Sequence, residues 1–196
     1  MGRKSKATVR KIEILEHFFE VVRTEGYEHA SVARIADRMQ VNPSLSIHYF
    51  KTKEEMVVDL VDFLLQKQEQ AFLGLVLVID DPRERLDRVI SILFSTDWNQ
   101  AGDPSVFYAC YYLTFRQPRI HNRFVQMYEH FRKLLIAEAD IWVRNGLVKN
   151  QTPAQIADYL IILVEGFVFY QRLRPLEEQA QQIQFLRNTT TQILLG

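Results

Sequence analysis

The sequence is poor in the residues that break a chain. Seven glycines and six prolines in 196 residues fall well below the usual share of roughly 7% and 5%. So few turn formers exclude an all-β chain and leave an all-α fold as the expectation. The single cysteine, Cys110, can form neither an internal disulfide nor a thiolate metal cluster. It fits a reducing cytoplasm and is expected to pack as a small buried hydrophobe. Net charge is also missing: 24 basic residues balance 24 acidic ones, so the whole-chain sum gives no hint of a nucleic-acid partner. No glycines cluster into a phosphate-cradling loop, and His-Glu-x-x-His and Gly-x-Ser-x-Gly do not occur. No cofactor, metal or catalytic residue is therefore assigned. The longest apolar runs, 72–79 and 159–170, are shorter than the roughly 20 residues of a membrane span. The basic N-terminus leads into a stretch broken by Glu13, Glu16 and Glu20, unlike a secretory signal.

What is present is an apolar content of 47%, ample for a core, divided by helix punctuation. Thr52 with Glu55 and Thr152 with Gln155 have capping-box spacing, in which each side chain satisfies a free backbone N–H. Asn42-Pro43, Asp81-Pro82, Asp103-Pro104 and Thr152-Pro153 each set a capping residue before a proline, whose missing N–H is harmless at the first helical position. Gly26 and Gly146 mark stops as left-handed caps. These signals predict nine helices, near 6–25, 31–39, 43–49, 53–77, 82–97, 104–116, 118–145, 153–173 and 176–195. Helical spacing predicts inner faces of Ile12, Leu15, Phe19 and Val22 on the first. On the seventh it selects Ile120, Phe124, Met127, Phe131, Leu134, Ala137 and Ile141.

The zero charge is a sum of unlike parts. Residues 1–53 carry ten Lys or Arg against six acids, a balance of +4, and the remainder carries 14 against 18, a balance of −4. The basic part also holds two short helices joined by a three-residue turn. That fits a helix-turn-helix, whose second helix enters the DNA major groove by its N-terminal end.

Residues 31–56, Ser-Val-Ala-Arg-Ile-Ala-Asp-Arg-Met-Gln-Val-Asn-Pro-Ser-Leu-Ser-Ile-His-Tyr-Phe-Lys-Thr-Lys-Glu-Glu-Met, resemble the signature of the tetracycline-repressor (TetR) family. The likeness extends over 8–60 and is strongest at Ile35-Ala36, Val41 and 49–55. It implies a helix-turn-helix domain at 1–52 and a helical ligand-binding and dimerisation domain at 53–196. It further implies a ligand-responsive regulator, usually a repressor, that binds a palindromic operator as a homodimer in the cytoplasm. By the same resemblance Ser44, Leu45 and His48 are base readers, and Ser31, Tyr49 and Lys53 are phosphate contacts. Asn42 and Pro43 turn free N–H groups toward the duplex, and Lys6 and Arg34 add salt-dependent affinity. Phe50 is expected in the core. Three positions depart from the pattern: Gln40 replaces the turn glycine, Ser46-Ile47 stands where Leu-Tyr is common, and Ala33 stands where some members carry arginine.

In the effector half, aromatic residues concentrate. Gln68, Trp98, Phe107, Cys110, Tyr111, Phe124 and Tyr128 are the candidate lining for a small, largely apolar or aromatic effector, although each alone fits an ordinary helical core. The eighth helix is apolar nearly all round and needs covering on every side. Tyr159, Ile162, Glu165, Gly166 and Phe169, with Leu186 of the ninth helix, are the expected two-fold interface. Two other readings remain at this point: a helical-bundle enzyme or carrier using Cys110 with His121 or His130, and an architectural DNA binder without an effector.

Overall fold

The computed structural model describes residues 6–95 and 103–196. Among them are nine α-helices and two short 3-10 turns, with no strand. The helices are α1 (Lys6–Glu25), α2 (Val32–Arg38), α3 (Pro43–Tyr49), α4 (Lys53–Val76), α5 (Pro82–Leu93), α6 (Pro104–Tyr112), α7 (Pro118–Arg144), α8 (Pro153–Gln171) and α9 (Leu176–Leu195). The 3-10 turns are Tyr27–His29 and Leu113–Phe115. The predicted 104–116 helix thus ends as a 3-10 turn, and the predicted 82–97 helix stops at Leu93.

Capping follows the expected chemistry. Asp81 accepts from the Glu84 N–H at 2.8 Å, and Thr152 with Gln155 forms a reciprocal capping box. Thr52 accepts from the Glu55 N–H, but the Glu55 carboxylate reaches back to the Lys51 N–H at 2.8 Å rather than to Thr52. The ends of α2 and α7 share one device. At α7, the Gly146 N–H bonds Val143 O and the Leu147 N–H bonds Trp142 O, with Gly146 at φ +71°. At α2, the Gln40 N–H bonds Asp37 O and the Val41 N–H bonds Ala36 O, with Gln40 at φ +55°. This pattern, in which two N–H groups turn back on the last carbonyls, requires a left-handed residue and favours glycine. Gly26 has φ +90° but ψ 158°, so α1 ends by an extended exit rather than a left-handed cap.

The chain divides into two compact units, and the division falls inside α4 and α7. One unit contains 1–67 and 102–127, the other 68–101 and 128–196. In the first, Ile14, Leu15, Phe18, Val21 and Val22 of α1 pack with Ile35, Ala36, Phe50, Met56, Val57 and Leu60 in the buried core. The buried stripe of α1 is thus rotated from the expected one: Phe18 is fully buried, whereas Phe19 and Ile12 are only half-buried. Both stripes have helical spacing, and packing selects the one that places two adjacent pairs, 14–15 and 21–22, inward.

The second unit has its own core of Phe72, Leu86, Val89, Leu93, Leu135, Trp142, Ile156, Leu160, Val164 and Phe167, among others. On α7 the inner residues here are Leu135, Glu138, Ala139 and Trp142, while Ala137, expected inward, is exposed. The charged face is therefore not wholly solvated. Arg85 of α5 grips Glu138 in a fork, with both bonds at 2.6 Å. Arg187 of α9 caps α5 by donating to Phe94 O at 3.0 Å and Ser91 O at 2.9 Å.

Candidate DNA interface and effector site

Ser31 caps α2 by accepting the Arg34 N–H at 3.1 Å, and the residues that follow it bury Ile35 and Ala36 while leaving Ala33, Arg34 and Asp37 exposed. After the Gln40 turn, Asn42 opens α3. Its Oδ1 accepts from the Ser44 N–H at 2.9 Å and from Ser44 Oγ at 2.8 Å. Asn42, Pro43 and Ser44 are exposed at the start of α3, so the residues expected to face the duplex are open to solvent. His48 is exposed and Tyr49 half-buried, with their rings edge-on at 5.3 Å. Phe50 is fully buried, as expected, under the Lys11 ammonium at 5.3 Å from its ring centre. Lys6 is exposed at the first turn of α1. The side chain of Leu45 lies outside the described residues.

Two of the expected phosphate cations are engaged within the fold. The Arg34 guanidinium forks onto Glu25, at 3.1 and 3.2 Å, and the pair lowers the Glu25 carboxyl below its ordinary range. The Lys53 ammonium lies over the Tyr27 ring, 3.7 Å from its centre, and donates to the Tyr27 and Glu28 carbonyls. Burial there lowers the Lys53 pKa. Lys53 thus ties the start of α4 to the link between α1 and α2. This tie leaves no mark in the sequence, because it pairs an ammonium with main-chain oxygens 25 residues away.

The expected effector residues fall in both units. In the first, Phe107 and Phe124 meet edge to face at 5.5 Å, Tyr111 meets Phe124 at 5.7 Å, and Phe107 and Tyr111 lie parallel at 6.3 Å. Phe115 extends the set, edge-on to Tyr111. Cys110 is buried, and burial pushes its thiol up to about 12, so it stays protonated and unreactive at neutral pH. In the second unit, Gln68 is half-buried, and the Tyr128 hydroxyl bonds the Glu165 carboxyl. Desolvation raises the Glu165 pKa and the Tyr128 bond opposes the rise. Trp98 lies outside the described residues. A cavity of about 370 Å³ in this unit is lined by Ile79, Glu84, Asp87, Arg88 and Ser91, none of them an expected effector residue.

The apolar α8 is covered on one side only. Ile156, Ala157, Leu160, Val164 and Phe167 are buried, while Ile162 is 71% and Phe169 59% exposed. A Cβ added at Gly166 would meet nothing within 4 Å. Tyr170, Leu173 and Leu176 continue this exposed face, and Phe185 and Ile193 of α9 are also open. Of the other residues expected at the interface, Tyr159 and Leu186 pack on the core, and Glu165 faces α7. Phe185, adjacent to Leu186, was the outward residue that spacing on a weakly amphipathic helix did not single out. The α8 helix is long and apolar enough to cross a membrane by length and composition.

Comparison with known proteins decides the family. Residues 81–195 match the tetracycline repressor-like C-terminal domain, and residues 14–60 match the bacterial regulatory proteins of the tetR family. The chain belongs to the tetracycline-repressor family. This TetR-family regulator is 22% identical over 174 residues to the HTH-type transcriptional regulator BetI of Rhizobium meliloti, covering 89% of this chain and 83% of that protein. A match of 24% identity to BetI of Brucella anthropi spans 61% of each chain. A TetR transcription regulator from Haloarcula marismortui has the same fold, with a TM-score of 0.84 at 17% identity over 96% of this chain and 100% of the other. So does a transcriptional regulator from Saccharomonospora viridis in complex with choline, with a TM-score of 0.77 at 16% identity over 94% and 95% of the two chains.

Proposed function

We propose that this TetR-family regulator binds a palindromic operator as a homodimer, represses transcription there, and is released by a small organic effector. The observation that carries the reading is the exposed start of α3, where Asn42, Pro43 and Ser44 stand clear of the core behind a turn braced by main-chain bonds. That end of a recognition helix is the part that meets base edges. Ser44, Leu45 and His48 read bases, and Ser31, Tyr49, Lys53, Lys6 and Arg34 hold phosphates. Occupying these contacts requires Arg34 to exchange Glu25 for phosphate, a small cost for an exposed pair, and Lys53 to leave the Tyr27 ring and the Tyr27 and Glu28 carbonyls.

The uncovered face of α8 supports the dimer. Apolar residues there and on α9 would be buried by a second copy, giving a four-helix interface. Two recognition helices then meet half-sites about 34 to 36 Å apart, or a multiple of that. An effector acts only if it prefers the spacing that cannot reach both half-sites. The ring cluster of Phe107, Tyr111 and Phe124 supports an apolar or aromatic part in that effector, and the choline-bound Saccharomonospora neighbour extends the range of the fold to small organic cations. A cysteine-dependent enzyme is disfavoured by the protonated, buried Cys110.

The test is fluorescence polarisation of the protein on DNA from its own upstream region against shuffled DNA of equal length, over a salt series. The expected result is a preference for the upstream sequence with affinity that falls steeply with salt. Equal binding to both duplexes would overturn the proposal.

A further inference from the structure

We infer that Ser44 reads the operator as a hydrogen-bond acceptor, so that the base it faces carries an amino group in the major groove, adenine or cytosine. The inference rests on the reading of α3 as the recognition helix and names the chemistry at one of its positions. Asn42 Oδ1 accepts the Ser44 N–H at 2.9 Å and the Ser44 hydroxyl at 2.8 Å. A main-chain N–H can only donate, so the Asn42 atom facing it is the amide oxygen, and a hydroxyl aimed at that oxygen must donate too. Both polar protons of Ser44 are thereby spent inside the protein, and Pro43 has no N–H to offer. What the exposed Ser44 Oγ turns outward is lone pairs.

The local sequence encodes this arrangement. Asx-Pro-Ser occurs twice, as Asn42-Pro43-Ser44 and as Asp103-Pro104-Ser105. At the second, Asp103 Oδ1 accepts the Ser105 N–H at 2.9 Å and the Ser105 hydroxyl at 2.6 Å. The proline sets the backbone of the first helical residue, and the side-chain oxygen before it captures the serine two residues on. Because an acid does the same as an amide, the oxygen of Asn42, not its nitrogen, is what fixes Ser44.

In the major groove adenine N6 and cytosine N4 donate, whereas guanine O6 and thymine O4 accept. Guanine or thymine opposite Ser44 Oγ sets lone pairs against lone pairs unless the bond to Asn42 breaks. Asn42 is therefore a positioning residue, acting on the base through Ser44.

The experiment selects duplexes from a randomised pool with the full-length protein and with Ser44→Ala, then measures binding to the selected duplex by fluorescence polarisation. One position in each half-site should lose its preference in Ser44→Ala, and the unmodified protein should hold adenine or cytosine there. Replacing that base by its analogue without the amino group, purine or 2-pyrimidone, should weaken the unmodified protein about three- to tenfold per half-site. Ser44→Ala should not respond to the replacement. Asn42→Ala should admit guanine and thymine at that position alone. Asn42→Asp, which keeps the accepting oxygen, should retain the preference, although phosphate repulsion weakens its binding overall. A purely structural role for Asn42 would instead lower affinity evenly or relax every position. Guanine or thymine at the Ser44 position, an analogue bound as well as the natural base, or a selected sequence that Ser44→Ala leaves unchanged would each overturn the inference. If circular dichroism shows Asn42→Ala unfolded, the analogue measurement on the unmodified protein decides. A pool that yields no preferred sequence overturns the operator reading and the acceptor role together, whereas a preferred sequence with guanine or thymine at that position overturns the acceptor role alone.

Discussion

A guanidinium grips a glutamate in each of the two units, and the two pairs have opposite consequences. Arg34 and Glu25 sit on the surface of the first unit, their side chains 49% and 28% exposed, whereas Arg85 and Glu138 of the second are 13% and 5% exposed. Water and salt screen the first pair, so it contributes little and can be exchanged for a phosphate. The second pair is desolvated, so losing either partner strands a buried charge. Arg34 can therefore leave Glu25 without cost to the fold, whereas Arg85 cannot leave Glu138.

The sharpest way to break this contrast is Arg85→Ala. It should cost about 3–5 kcal/mol of stability, read by denaturant unfolding, and a loss as small as that of a surface pair would show that Glu138 is not held as described. Next is the open face of α8. A Cβ at Gly166 meets nothing within 4 Å, so in Gly166→Leu the monomer should stay folded while sedimentation shows dissociation and operator affinity falls by about two orders of magnitude. An intact dimer would place the interface elsewhere.

Arg34→Ala sharpens the contrast from the exposed side. The melting temperature should hold within experimental scatter, while the slope of log affinity against log salt drops by about one. An unchanged slope would remove Arg34 from the phosphate contacts. Gln40→Gly should stabilise the protein by about 0.5–1 kcal/mol, because glycine adopts the positive φ without strain. A loss of stability would show that the Gln40 side chain has a role of its own.

Cys110 gives a pH dependence. Its thiol rises from the ordinary 9.0 to about 12 in the folded chain, so folding opposes ionisation. This contribution is intact below pH 9.0 and declines as pH rises toward about 12. A thiol reagent at pH 8 should label the unfolded chain and spare the folded one; rapid labelling of native protein would contradict the burial.

Local chemistry made much of the architecture legible. Asp81, Thr152 and Asn42 accept the N–H groups that their positions before proline predicted, because a cap depends on neighbours within three residues. The helix-turn-helix was readable for the same reason, even with Gln40 in place of glycine, since main-chain bonds carry that turn. Helix faces were less legible. Spacing alone does not choose between Phe18 and Phe19, or between Ala137 and Glu138, when apolar residues flank both stripes. The candidate effector residues were legible only as a composition, many aromatics without an arrangement.

The sequence by itself determined the nine helices among the described residues, the caps at Asn42, Asp81 and Thr152, the basic N-terminal segment and the family signature, because each depends on residues close in the chain. Only the tertiary structure decided that Arg85 meets Glu138, that Lys53 lies on Tyr27, and that Ile162 and Phe169 are left exposed. These outcomes depend on which surfaces meet after the helices pack. That choice is made by burial and charge compensation between residues 26 to 53 positions apart, beyond the reach of any local pattern.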